Sequence, residues 1–243
     1  TYFNLVGKFE DGTFDLSIQK RYFVPTPDPN IVILDIDEGS LEAMGKDFGR
    51  WPWPREVFAE FVENLIEQEP AAIVFDILFS EADINNQGSD AYLNDVVSRN
   101  TNIFFPMLRL AEKNDILSEI KPSMIPGLSR IESVETSDKP IAILLPFLNG
   151  ALKSGLMGTN SIYPDEDGKA RRYHLYQVHD GWKINSLPIK IADTLGYQTA
   201  DDEVLLINWR GARGTYRNIR FSDVYFDFLQ REKKRSSDEF KNK

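Results

Sequence analysis

The sequence contains no cysteine. Disulfide staples, thiolate metal sites and a cysteine nucleophile are therefore excluded, and cysteine usage says nothing about the redox compartment. Histidine is nearly absent: His174 and His179 are the two imidazoles in 243 residues. Long apolar runs are missing too. The stretches at 71–79 and 141–148 fall far short of the roughly 18 residues that a membrane span needs. There is no glycine-rich phosphate loop of the dinucleotide or Walker type, and no internal repeat. Positive charge is in deficit, because 28 Lys and Arg against 38 Asp and Glu leave a net charge of −10. Such a chain repels phosphate backbones, which argues against nucleic acid as a partner. What is present is material for a core: 42% of residues are hydrophobic and 12% aromatic, so general disorder is excluded. The length corresponds to about 1.6 typical domains. Thr1 follows no initiator Met and no basic-then-apolar leader, so the chain reads as a piece of a longer protein.

The pattern along the chain predicts an α/β fold: a mixed, partly parallel sheet flanked by helices, with a β-hairpin in the second half. Pro25, Pro27 and Pro29 forbid a helix there and favour an extended approach to the first strand. Residues 31–37 form a continuous β-branched run, as in a strand buried on both faces. A short polar turn is expected next, then a helix from Pro54 to about Gln68 with Val57, Phe58, Phe61, Val62, Leu65 and Ile66 on one stripe. Residues 72–79 read as a second buried strand, and strand, helix and strand together predict a parallel βαβ unit. A helix over 89–99 and a strand over 103–105 follow. Residues 110–139 read as a long irregular excursion. After it come a strand at 141–145 and a short helix near 146–153. Extended runs at 155–163 and 170–178 around Asp165-Glu166-Asp167-Gly168 predict a hairpin, with a further turn at 179–181. A helix over 185–196 and a strand over 204–209 complete the series, and 231–243 reads as a charged tail whose one core residue is Phe240. No domain boundary is indicated, so residues 1–243 are expected to be one domain.

Several constellations have chemical potential. Asp35 and Asp37 stand at the carboxyl end of the first strand, where ligands sit in open α/β sheets, and Asp76, Glu81 and Asp83 lie in or just past the second. Converging carboxylates imply either a hard cation, with Asp35 and Asp37 as candidate ligands, or arginine partners. Arg50 and Arg55 are close in sequence, so salt-bridge anchoring of the intervening loop is the alternative. The string Leu34-Asp35-Ile36-Asp37-Glu38 resembles the nucleophile motif of haloacid-dehalogenase-like phosphatases, in which two carboxylates act beside Mg²⁺. Gly39 departs from that motif. Asp201-Asp202 precedes its strand rather than following it, so the later acidic pair is at the wrong end of the sheet. Asp165–Gly168 lacks the ligand spacing of a Ca²⁺ loop and suits a turn. Trp51 and Trp53, between prolines, either clamp a ligand or cap the helix that follows. His174 has no matching Ser or Asp motif and reads as structural.

The ordered series carries more than any one of these. It runs from the strand at 31–37 through Gly49-Arg50-Trp51-Pro52-Trp53-Pro54-Arg55 and Phe75-Asp76-Ile77-Leu78-Phe79-Ser80-Glu81-Ala82-Asp83. Asp165-Glu166-Asp167-Gly168, Ser186-Leu187 and Ile207-Asn208-Trp209-Arg210-Gly211 complete it. This resembles the second type of CHASE domain, the extracellular sensory domain associated with bacterial cyclases and histidine kinases. The resemblance implies an input module on the periplasmic or extracellular face of the cytoplasmic membrane, with membrane helices on either side of it. It also implies an unidentified small-molecule or protein signal, a cytoplasmic output domain, no cofactor and possible homodimerisation. The family's recurrent polar positions fall on Asp35, Asp37, Glu38, Arg55, Asp76, Glu81, Asp83, Asp165, Asp167 and Arg171 or Arg172. Family members continue with a further strand and a Pro-Gly segment that does not appear before Lys243, so a core strand is expected to lie beyond this piece.

The resulting expectation is a sensor without catalysis of its own. A Mg²⁺-dependent phosphotransferase using Asp35 and Asp37, and a purely dimerising module, are the alternatives.

Overall fold

A computed structural model describes residues 2–132, 134–229 and 235–243. It is a mixed α/β fold built from several small sheets, some parallel, with antiparallel hairpin strands in its second half.

Helix α1 (Tyr2–Lys20) lies in a stretch for which the pattern predicts no element. Its apolar residues make no sharp stripe, and Phe9 and Leu16 are exposed, so periodicity gives it no signal. Residues 22–28 are extended, as the prolines require. Strand β1 (Val32–Asp35) occupies the middle of the expected run. The expected polar turn after it is instead helix α2 (Glu38–Phe48). Asp37 caps this helix, accepting from the Ser40 N–H at 2.8 Å, and Gly49 at φ +77° ends it. Gly39 and Gly45 depress its helix propensity, which hides it from a pattern reading.

Helix α3 (Arg55–Ile66) matches its prediction and buries Val57, Phe58, Ala59, Phe61, Val62 and Leu65. Strand β2 is only Ile73–Val74, extended by the Phe75 N–H donating to the Phe104 carbonyl. Helix α4 (Gln87–Arg99) leads to β3 (Ile103–Arg109), which lies parallel to β2. The parallel unit is therefore β2–α4–β3. The expected pairing of β1 with β2 is not formed, because β1 lies parallel to β11 (Arg217–Arg220). Three of the four residues of β11 are Arg or Asn, so it shows no apolar run.

The 110–139 excursion holds two 3-10 turns and the short β4 (Ser129–Arg130). Strand β5 (Ile143–Leu144) pairs antiparallel with β3, and helix α5 (Asn149–Ser154) precedes β6 (Met157–Thr159), which is parallel to β3. The hairpin predicted around 165–168 is absent. Its first arm is β6 in the main sheet, and its second arm, β7 (Arg172–His174), pairs with β10 (Val204–Leu206). The turn itself forms, closed by Gly168 N–H on the Asp165 carbonyl. The hairpin lies one turn later, between β8 (Tyr176–His179) and β9 (Trp182–Asn185). Asp180 and Gly181 there both have positive φ, +47° and +81°, the requirement of a two-residue turn between right-twisted strands. Helix α6 (Leu187–Thr194) follows, and helix α7 (Phe221–Leu229), which the sequence reading missed, continues directly from β11.

The core is a ladder of aromatic rings. Trp53 stacks on Phe221 at 5.8 Å, Phe221 meets Phe61 at 4.5 Å, and Phe75 stacks on Phe105 at 5.1 Å. Phe240 is buried against Phe228, so this part of the charged tail belongs to the core as expected. Residues 231–234 of the expected tail lie outside the described residues. No helix among the described residues is long and apolar enough to cross a membrane.

Candidate functional site

The recurrent polar positions do not form one cluster; the fold distributes them over separate places. The densest is built on the turn at 165–169 and the start of β7. Arg171 is only 4% exposed there, and its guanidinium meets three carboxylates. Its Nε and Nη2 donate to Asp15 at 2.7 and 2.9 Å, and its Nη1 donates to Asp165 and Asp167, each at 2.9 Å. A further bond from Nη2 reaches Asp167 at 2.6 Å. Arg172 bridges Asp165 at 3.0 Å to Asp11 at 2.8 Å, and Lys169 also binds Asp15. Planar guanidinium forks suit this geometry because each presents several donors in fixed directions.

The electrostatics follow. The Arg171 guanidinium holds the Asp15 carboxyl far below the usual carboxylate range and lowers that of Asp167 to about 2. Asp167 and Asp15 in turn raise the pKa of Arg171. Asp165, Asp167, Arg171 and Arg172 are thus brought together as their sequence proximity suggests. The reading of the sequence missed their partners Asp11 and Asp15. Their i,i+4 spacing, which places both on one face of a helix, is the signal that could have found them. The other side-chain anchor of this region is Arg21, which donates to Asn208 at 2.9 Å and to the Trp209 carbonyl. Among the α1 residues whose side chains are described, 7 and 9–20, none belongs to the hydrophobic core cluster, and their side-chain contacts with the body are ion pairs.

A second group sits at the end of β1. Asp35 accepts from Asn218 at 3.3 Å, and both Asp37 oxygens accept from Arg220 Nε at 3.1 and 3.0 Å. Residues 218 and 220 alternate along β11, so one face of that strand meets both carboxylates. The Ser40 N–H, followed by Arg220, keeps the Asp37 pKa low. Ser40 itself is buried: its hydroxyl donates to the Asp35 carbonyl and accepts from the Ser222 N–H, which ties β1, α2 and α7 together. Glu38 is exposed and makes no hydrogen bond or ion pair among the described residues. Among those residues, no group of three or more His, Asp or Glu is placed to hold a metal ion.

The third group is internal. Arg55 faces the buried Asp90 at 3.9 Å and lies 4.9 Å over the Phe79 ring. Asp90 accepts from the Asp83 N–H at 2.6 Å, and Asp83 closes its own turn by accepting from the Asn85 and Asn86 N–H groups. Asp90 was not foreseen, because it is an isolated acid on a helix. Elsewhere, Asp76 is exposed and accepts from Asn160 at 2.7 Å, while Glu81 is exposed without a partner among the described residues.

The Trp-Pro-Trp-Pro-Arg string divides by burial. Trp53 is in the core, which fits the capping alternative. Trp51 remains 36% exposed, its ring perpendicular to those of Trp53 and Phe58. Together with Arg50, Leu41, Gly45 and Gly49 it lines an open groove of about 460 Å³ along the end of α2.

The model of the CHASE2 domain family matches residues 1–243. No curated protein and no solved structure matches the chain. CHASE2 domains are extracellular sensory domains of signalling receptors rather than catalytic domains.

Proposed function

The chain belongs to the CHASE2 domain family, and on that premise we propose that it is the signal-input domain of a membrane-bound bacterial receptor. It reads a small-molecule or protein signal on the extracytoplasmic face of the membrane. It passes that signal, through flanking membrane helices, to a cytoplasmic output domain such as a cyclase or histidine kinase. A ligand acts by binding one of two arrangements of the domain more tightly than the other.

One observation carries this reading: none of the described side chains of α1 enters the core cluster, and the helix is clasped to the 165–172 segment by Arg171, Arg172 and Lys169. An element held by directional charge contacts can change its hold without unfolding the domain, which is what an input module needs. Hydrogen exchange tests the clasp. Arg171→Gln should speed exchange across α1 by about tenfold or more, with α3 and α4 unchanged. In the complete receptor the same substitution should shift basal output. Unaltered exchange and unaltered output would sink the proposal. So would Mg²⁺-dependent turnover of a phosphate ester that Asp35→Asn abolishes.

A further inference from the structure

We propose that the groove at the end of α2 is a binding site for small aryl carboxylates: a flat apolar body seated against Trp51 and Leu41, with its carboxylate on Arg50. This inference rests on the reading of the domain as a signal input and assigns that input a place and a chemical class.

Four observations converge on the groove. Its volume, about 460 Å³, is in the range of small-ligand sites. Arg50 lines it and has no hydrogen bond or ion pair among the described residues, so its five donors are available. Several other arginines of this domain are engaged, Arg55 with Asp90, Arg109 with Asp115, Arg171 and Arg172 with the clasp, and Arg220 with Asp37, while Arg210 and Arg213 share the lack of a partner among the described residues but do not line the groove. Trp51 stands beside Arg50, with its ring plane set by perpendicular contacts to Trp53 at 5.0 Å and Phe58 at 6.1 Å. A rigid, half-open indole next to a free guanidinium is a place for an aromatic ring bearing one negative group.

The fourth observation is Gly45. A glycine inside a helix weakens it relative to alanine, so it generally has a packing or functional reason. Here, apart from its chain neighbours and the backbone of its own helix, no atom of the described residues lies within 4 Å of where its Cβ would be. Packing within the domain does not require it, whereas a side chain there would project into the groove. Gly49 is different, because φ +77° at the end of α2 requires glycine for backbone reasons.

The charge of the ligand follows from the surroundings. A single guanidinium matches a single carboxylate. The acids Glu38, Glu42 and Asp47 outnumber Lys46 on α2, and the chain carries −10 overall, so a polyanion such as a phosphoanhydride is disfavoured. The bland role for Arg50 is to complement the negative end of the α2 dipole. Arg50→Lys preserves that role and removes the planar fork, so it separates the two.

Calorimetric titration of the 243-residue chain with phenylacetate, with neutral phenylacetamide as the control, tests the proposal. Saturable binding of phenylacetate is expected, and much weaker binding of the amide. Arg50→Gln should weaken phenylacetate by about tenfold or more, and Arg50→Lys by several-fold. Gly45→Leu, which fills the groove and favours the helix, should abolish binding while leaving the melting temperature unchanged or raised. The proposal is overturned if phenylacetate does not bind, if the amide binds equally well, or if binding survives Gly45→Leu. It is also overturned if Gly45→Leu instead dissolves a dimer seen by sedimentation, which would make the groove a contact with a second copy. In each of these cases the input-domain reading stands or falls separately, on the α1 exchange and receptor output measured with Arg171→Gln.

Discussion

Arg55, partly buried, and Arg171, fully buried, fill different roles. Arg55 sits under the aromatic core, over Phe79, and faces a single carboxylate that is itself buried, Asp90. Removing one partner of such a pair leaves an uncompensated charge in the interior. Arg55→Ala should therefore cost about 3 kcal/mol of folding stability. A denaturant melt checks this, and an unchanged midpoint would show that solvent reaches Asp90. Arg171 joins α1 to a turn, so its loss should loosen α1 above all. The sequence showed Arg171 and its near neighbours Asp165 and Asp167 as a local group. It did not show Asp15, because a contact across 156 positions exists only once the chain has folded. For the same reason Asp35 and Asp37 looked like a converging pair. In the structure each has its own partner on β11, Asn218 and Arg220.

Among the elements, close approach of backbones sets the tolerances. A Cβ on Gly158 in β6 would lie 2.5 Å from the backbone of Leu187 at the start of α6, which neither element can yield without separating strand from helix. Gly158→Ala should cost about 3 kcal/mol. A Cβ on Gly39 in α2 would also be at 2.5 Å, but from the guanidinium of Arg220. That side chain is half-exposed and able to swing away, so Gly39→Ala should stay within about 1 kcal/mol. Thermal melts of the two variants side by side make the comparison, and equal losses would refute it. Elements with strong apolar periodicity, α3 and α4, were legible in the sequence. Those held by polar contacts or diluted by glycine, α1, α2 and β11, were not. The hairpin was displaced by one turn because both candidate turns contain Asp and Gly. Only the second is flanked by strands that pair with each other.

For the molecule as a whole, the direction of the pKa shifts defines a pH plateau. Carboxyls at Asp15, Asp37, Glu63, Glu69 and Asp167 are all held below their ordinary values, Asp167 at about 2. A depressed folded-state pKa contributes stability above the unfolded value and loses it as pH falls toward the folded one. Stability should therefore decline progressively below about pH 4. At the other end, the hydrogen bond to Glu63, with burial, raises the Tyr92 phenol to about 12. Its contribution is complete below the unfolded pKa of about 10 and fades as pH climbs from there toward 12. Melting temperature against pH should be nearly flat between these limits. A maximum confined to acidic pH, or a steep fall between 5 and 8, would contradict this assignment. The sequence by itself determined the α/β class, the core-facing stripes, the lack of thiol chemistry and, through its ordered motifs, the family. These depend on local composition and spacing, which a linear chain displays in full. Folding alone sets that β1 pairs with β11, that the acidic positions lie in separate places with Asp37, Asp165 and Asp167 bound by arginine, and that Arg50 lines an open groove beside Trp51. Those outcomes depend on which distant segments meet, and polar contacts of that kind carry no periodic signal along the chain.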